Sequence, residues 1–327
     1  MGKILEIKNL VKLFPVKKGL FRKTVAHVHA VDDVSFYINE SETFGLVGES
    51  GCGKTTVGKL IMQLHKADSG SIIYNGADLC SLPKKELSRR RSEVQIVFQD
   101  PYGSLNPRMK VADILSEGIR KHRLLPPDQI PARVAELLRL VGLHESDALK
   151  YPHEFSGGQR QRIAVARALS FNPKLVVCDE PVSALDVSVQ AQILNLMVEL
   201  QKKLGVSYLF IAHGMAVVKH ISHRVGVMYL GKMVELAPTD ELFDNYAHPY
   251  TQALLSSVPV ANPRREKTGV VLEGEIPNPI NPPSGCRFHP RCPYADEMCR
   301  CQEPVLTEWK PDHMVACHHP KAFEVEK

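Results

Sequence analysis

Glu42-Thr43-Phe44-Gly45-Leu46-Val47-Gly48-Glu49-Ser50-Gly51-Cys52-Gly53-Lys54-Thr55-Thr56 is the stretch that decides the fold. An apolar run ending at Val47 reads as a strand, and Gly48-x4-Gly53-Lys54-Thr55 then matches the phosphate-loop pattern at every fixed position. Leu60, Ile61 and Leu64 give the following segment one apolar helical face. Strand, glycine-rich loop and helix are the context this motif needs. Glycines at 48, 51 and 53 let the backbone turn successive N–H groups inward, the helix adds its positive N-terminal end, and Lys54 reaches the terminal phosphates. Thr55 offers a hydroxyl to Mg²⁺. Gly48, Glu49, Ser50, Gly51, Cys52, Gly53, Lys54, Thr55 and Thr56 are therefore the candidate nucleotide-binding positions. Cys52 reads as a tolerated small residue at a free position of the loop, not as a redox switch.

Outward from this loop, short apolar runs alternate with amphipathic stretches, which predicts an α/β fold. Strands are expected over Glu42–Val47, Val94–Phe98, Leu175–Cys178, Tyr208–Ala212 and Val225–Leu230. Leu175-Val176-Val177-Cys178 ends in Asp179-Glu180. In a parallel sheet such a strand carries Asp179 to the Mg²⁺ shell at the carboxyl edge. Glu180, one residue farther out, can polarise an attacking water. By itself an Asp-Glu pair at a strand end is an exposed loop charge; beside a phosphate loop it reads as catalytic. Val189, Ile193, Leu196 and Leu200 share one face and predict a helix over Asp186–Leu204, stopped by Gly205. Between Asp100 and Asn172 strand signals give way to helical ones, over Val111–Lys121, Pro131–Val141 and Gln159–Ser170. A helical subdomain of about residues 100–172 inside a domain of residues 1–256 is expected. After Ser256 a run of prolines leads into residues 257–327, a linker and a small Cys-rich domain.

The 327 residues, 44% of them hydrophobic, suffice for about two domains. No stretch approaches eighteen uncharged apolar residues, and the start, Met1-Gly2-Lys3-Ile4-Leu5-Glu6-Ile7, lacks the pattern of a secretory signal. A cytosolic protein is the expectation. A net charge of +5, from 41 basic and 36 acidic residues, is too small and dispersed to argue for nucleic acid. The basic run Lys17–Lys23 reads as a solvated loop, with contact to anionic lipid as its alternative. Of eight cysteines, five crowd into the last 42 residues, which in a cytosolic chain speaks against a disulfide framework.

Phe155-Ser156-Gly157-Gly158-Gln159-Arg160-Gln161-Arg162 precedes a helix through Ile163, Ala166 and Leu169. A hydroxyl, two residues without side chains and open N–H groups at a helix N-terminus make a second anion site. One chain thus has two phosphate sites but one loop for the triphosphate. Here the sequence resembles the ATP-binding cassette of ABC transporters, a P-loop NTPase fold with a RecA-like core, a helical subdomain and, in this chain, the small Cys-rich extension. The resemblance implies that each ATP is held between the loop of one cassette and Ser156, Gly157, Gly158 and Gln159 of another. It maps Gln99 to the lid glutamine that contacts Mg²⁺ and senses the membrane subunits. Ser183-Ala184-Leu185-Asp186 maps to the loop at the dimer seam, and His213 to the switch histidine at the γ-phosphate. Two departures stand out: Gly214 replaces the family's Asp after that histidine, and Val25–Ala30 lacks the usual adenine-stacking aromatic, leaving His27, Val28 or His29 to stand in. Gly is an accepted N-cap, so hydrolysis is expected to survive the first departure.

Gln99–Arg108, His248–Leu255 and Ile280–Cys286 are similar to segments of the oligopeptide/dipeptide importer subunits. That resemblance implies a Mg-ATP-hydrolysing subunit at the cytoplasmic face of the membrane, peripheral to two permease subunits. A paralogous ATP-binding partner and, indirectly, an extracytoplasmic peptide-binding protein complete the expected assembly. Nickel or glycoside importers share much of the pattern, and a soluble ABC ATPase acting on nucleic acid is the reading from another class. The last is disfavoured by a single phosphate loop and the absence of heptads.

Cys286-x5-Cys292-x6-Cys299-x17-Cys317 suits either a [4Fe–4S] cluster or Zn²⁺. The gaps differ from the x2 to x4 knuckles common in zinc sites, which favours iron and sulfur. The set also resembles the C-terminal cysteines of peptide-importer cassettes, which are associated with a [4Fe–4S] cluster. Cys301 is a rival to Cys299 as ligand; the resemblance favours Cys299.

Overall fold

The computed structural model describes residues 2–19, 21, 23–256 and 274–321. The boundary expected at residue 256/257 and the linker as far as residue 273 adjoin or fall outside the described residues. The chain divides into two compact units: Met1–Ile4, Ile38–Glu42 and Ser81–Ile211 form one, and Leu5–Tyr37, Thr43–Cys80 and Ala212–Lys327 the other.

In the first unit, strands Val94–Val97, Leu175–Asp179 and Ser207–Ala212 pair in parallel with Leu175–Asp179 in the middle. Every residue of the middle strand is buried, as a parallel strand covered on both faces requires, and the Leu-Val-Val-Cys run supplies the apolar surface. The register sets Cys178 opposite Phe210 and Asp179 opposite Ile211, so the carboxylates arrive at the strand ends. Between Val97 and Leu175 the described residues hold no strand; helices Val111–His122, Ile130–Leu140 and Gly157–Leu169 take that stretch. Their buried stripes, such as Ile114, Leu115 and Ile119, recur at helical spacing. Helix Val187–Leu204 is capped by Asp186, whose side chain accepts the Val189 N–H at 3.0 Å. It ends at Gly205 in left-handed backbone (φ 67°), the expected stop.

The second unit holds two sheets. One is four-stranded, in the order Lys23–Asn39, Lys3–Lys18, Ser69–Tyr74, Ala77–Asp78. Asn75-Gly76, both at positive φ, turn its last hairpin in the way that two-residue connections favour. Of the basic run, Lys17 and Lys18 end one strand and Lys23 starts the next, while Gly19 has φ 78° and Phe21 lies in solvent. In the other sheet, Thr43–Val47 pairs in parallel with Arg224–Tyr229, which pairs antiparallel with Lys232–Pro238. The described tail joins this sheet rather than standing apart. His313–Val315 pairs with Lys232–Pro238, and Thr307–Lys310 pairs with His313–Val315. Backbone pairing and the burial of Phe288, Val315 and Ala316 give a segment with few apolar residues a share in a larger core.

Candidate nucleotide site and thiol pocket

The phosphate loop runs from Val47, the buried end of its strand, to the helix Lys54–Ile61. Gly53 caps that helix at φ 106°, and a Cβ placed there would stand 2.0 Å from the carbonyl oxygen of Ala30. No side chain fits, so the glycine is a steric necessity. Lys54 is buried, and its ammonium lies on the loop's own carbonyls: Nζ donates to Gly48 O at 2.7 Å and Glu49 O at 3.0 Å. Cys52 Sγ is 3.6 Å away. Burial raises the Cys52 thiol above its ordinary pKa, which leaves little thiolate for redox chemistry. His213 follows its strand into the same place, with Nδ1 3.4 Å from Lys54 Nζ and 3.3 Å from Gly48 O. A neutral Nδ1 serves one of these at a time, accepting from the ammonium or donating to the carbonyl. Gly214 is the N-cap of helix Met215–Ile221, with no side chain to cap it. Thr55 and Thr56 start the helix part-exposed, and Ser50 and Gly51 lie in solvent at the crest of the loop.

In the other unit, Asp179 and Glu180 are both buried at the end of their strand. Glu180 adopts left-handed backbone (φ 50°), its N–H donating to Ile211 O at 3.0 Å while Ser183 Oγ donates to its carbonyl at 3.1 Å. Such backbone costs an L-residue about 1 kcal/mol, and surroundings that fix it this firmly are typical of functional positions. Gln99 Nε2 donates to Glu180 Oε2 at 2.8 Å. Sequence reading aims Gln99 at Mg²⁺; the structure shows its amide on the Glu180 carboxylate. Ser156 is the N-cap of helix Gly157–Leu169 and forms a reciprocal box with Gln159: Ser156 N–H donates to Gln159 Oε1 at 3.0 Å, and Gln159 N–H to Ser156 Oγ at 3.4 Å. Ser156 and Gln159 flank Gly157 and Gly158 at the open start of the helix.

Cys286, Cys292, Cys299 and Cys317 line a single small pocket in the second unit, together with His248, Phe288, Tyr294, His318 and His319. Cys301 is outside it, exposed, its thiol on Glu297. Burial raises the thiols of the four, Cys292 to about 11 and Cys317 to about 12, with repulsion between neighbouring sulfurs adding to it at Cys286, Cys292 and Cys317. The four thiols share one pocket, and thiolates are the donors that soft metals prefer. Asp296, Cys299 and His319 make a smaller, rival donor set within 4.8 Å of one another.

Sequence reasoning missed the arginines beside the first two cysteines. Arg291 donates a two-pronged pair of hydrogen bonds to Glu49 (2.7 and 3.1 Å), which raises its already high pKa further. Arg287 donates to Leu230 O at 2.6 Å and pairs with Asp32. Tyr250, singled out in the sequence only as part of His248–Leu255, accepts the Glu49 N–H at 2.8 Å. Their nearness in sequence to Cys286, Cys292 and His248 was the only signal.

The glycine-rich loop with its buried lysine between strand and helix marks a P-loop nucleotide-binding fold. Comparison narrows the class. Residues 31–183 match the ABC transporter family and residues 234–299 the oligopeptide/dipeptide transporter C-terminal region. The oligopeptide transport ATP-binding protein AppF of Bacillus subtilis is 53% identical over 318 residues, covering 96% of this chain and 97% of that protein. The dipeptide transport ATP-binding protein DppF of Haemophilus influenzae is 47% identical over 316 residues, 97% of this chain and 96% of that one. Among solved structures, CbiO1 of Clostridium perfringens, part of the ABC transporter complex CbiONQ, superposes with a TM-score of 0.65 at 29% identity, over 75% of this chain and 92% of that one. The chain belongs to the ABC transporter family, in its branch of oligopeptide/dipeptide transport ATP-binding proteins, and is an ATPase subunit.

Proposed function

We propose that this chain hydrolyses MgATP to drive import of oligopeptides or dipeptides, at the cytoplasmic face of a membrane and bound to two permease subunits. The relatives' names and the match of the C-terminal region support the peptide class over nickel or glycosides. No helix of the described residues is long and apolar enough to cross a membrane; in our reading the permease subunits supply the path for the peptide. The Ser156–Gln159 motif at an open helix start supports pairing with a second cassette, in our reading a paralogue. The phosphate loop from Gly48 to Thr56 holds the triphosphate, with Lys54 exchanging its carbonyl partners for phosphate oxygens. Thr55 and Asp179 supply oxygens for Mg²⁺. Glu180 accepts a proton from, or orients, the attacking water, and His213 reports the γ-phosphate.

The observation that carries this reading is Glu180: a buried carboxylate on strained backbone, fixed by the amide of Gln99. Its side chain is set for one task, and Gln99 is the element through which permease contact would reach it. Arg167 donates to Ser104 O and so ties the segment after Gln99 to the helix that Ser156 caps. The test is hydrolysis by Glu180→Gln, which should bind MgATP and fail to turn it over; turnover at the wild-type rate refutes the assignment.

For the tail, the pocket of four thiols supports a [4Fe–4S] cluster on Cys286, Cys292, Cys299 and Cys317. When bound, the group supplies cross-linking of a small segment rather than electron transfer. Iron, sulfide and zinc assays on anaerobically purified protein decide it: about four iron per chain supports the cluster, and one zinc establishes the alternative.

A further inference from the structure

Glu49 follows the first glycine of the phosphate loop, at a position where the motif asks nothing of the side chain. Here it is held three ways. Its N–H donates to Tyr250 Oη, its carbonyl accepts from Lys54 Nζ, and its carboxylate takes both prongs of Arg291. Exposed ion pairs contribute little, but the Arg291 side chain is only 6% exposed and its geometry is fork to fork, the arrangement in which charge-assisted bonds are strong and directional. Arg291 is itself rigidly mounted. The loop Cys286–Cys292 is plugged into the unit by Phe288, whose ring packs against Tyr229 and Tyr250 at 5.2 and 5.4 Å between centroids. Arg287 fixes its other end on Leu230 O. The neighbouring Gly231 N–H, in the turn between Arg224–Tyr229 and Lys232–Pro238, donates to Cys52 O at 3.0 Å, so the tail segment braces one flank of the phosphate loop directly through Arg291 and the other through that turn.

We infer that Arg291 is a positioning residue for MgATP binding: through Glu49 it holds the phosphate loop in its nucleotide-ready form. This rests on the reading of residues 48–56 as the nucleotide site. Without Arg291 the loop loses its side-chain tether and carries an uncompensated carboxylate where a polyanion must bind. MgATP affinity, by titration with a fluorescent ATP analogue, and the KM and kcat of hydrolysis are measured on the full chain for Arg291→Ala, Arg291→Lys, Glu49→Gln and Lys54→Ala. Arg291→Ala should raise both Kd and KM about tenfold, the order of one lost charged hydrogen bond, with kcat nearly unchanged, a pattern that marks binding rather than chemistry. Arg291→Lys, which keeps the charge and most of the side-chain stem, should recover part of the affinity. Arg291→Lys combined with Glu49→Gln should cost less than the sum of the two. Wild-type Kd in both Arg291 variants, or strict additivity with Glu49→Gln, overturns the inference. Undiminished binding in Lys54→Ala would instead overturn the reading of the loop itself.

Discussion

Substituting alanine at Gly53 and at Gly51 separates two demands that the phosphate loop makes on glycine. At Gly51 the backbone has φ 78°, but no atom lies within 4 Å of where a methyl would sit, so Gly51→Ala bears only the left-handed penalty of about 1–2 kcal/mol. At Gly53 φ is 106°, and the methyl would stand 2.0 Å from Ala30 O. That oxygen is backbone, within the long strand Lys23–Asn39, and cannot rotate aside. The loop must therefore move, and with it the start of the helix whose N–H groups would meet the phosphates. Strain and overpacking together amount to about 2–5 kcal/mol, enough to remove most MgATP binding even where the domain stays folded. Thermal unfolding and fluorescent-nucleotide titration on both variants test this. Gly51→Ala should lower Tm by a few degrees and keep measurable affinity, whereas Gly53→Ala should lose affinity by a factor of at least about thirty, equivalent to about 2 kcal/mol. Equal losses in the two variants, or wild-type affinity in Gly53→Ala, would refute the steric reasoning.

Three further outcomes are expected. Ser156→Ala should cost only about 0.5–1 kcal/mol of stability through its cap and leave single-chain MgATP binding intact, yet abolish hydrolysis by the paired cassettes; retained hydrolysis removes Ser156 from the composite site. Gln99→Ala removes the amide that donates to the Glu180 carboxylate, so kcat of basal hydrolysis should fall while MgATP affinity is kept; a wild-type kcat would remove Gln99 from the positioning of Glu180. Of the metal content proposed for the tail, Cys317→Ser should lower the amount found by elemental analysis and Cys301→Ser should not, because Cys317 lines the pocket and Cys301 does not; the reverse pattern would exchange the proposed ligands, and no metal in the wild-type protein would refute the proposal.

Legibility followed the strength of local chemistry. The strand Leu175–Asp179 is apolar until it ends in carboxylates, so its position was readable; the helix Val187–Leu204 announced its start with Asp186 and its stop with Gly205. The strands Lys3–Lys18 and Lys23–Asn39 were invisible for an equally local reason. Asn9 and Asp33 take positive φ and hydrogen-bond each other at 2.8 Å, and the register with Ser69–Tyr74 shifts between Lys8 and Val11, which destroys the alternation by which strands are recognised. Strands Thr307–Lys310 and His313–Val315 were hidden by brevity. The need for glycine at Gly53 is legible because backbone geometry demands that residue type, and the contact of Arg291 is not, because its partner Glu49 lies 242 positions away.

That separation has a physical consequence for the tail. A proline-rich, cysteine-bearing segment that touched nothing else in its unit would leave the phosphate loop indifferent to what the thiols hold. Here Arg287 and Arg291 are the immediate neighbours of Cys286 and Cys292, and Phe288 lies between them in the core. Any group that draws those two sulfurs together fixes the backbone from which both arginines project. Rotamer freedom that each long side chain would otherwise lose on pairing is then restricted beforehand by the fold. The four-thiol pocket and the phosphate loop are thus two ends of one braced segment, through which any constraint on Cys286 and Cys292 reaches Glu49.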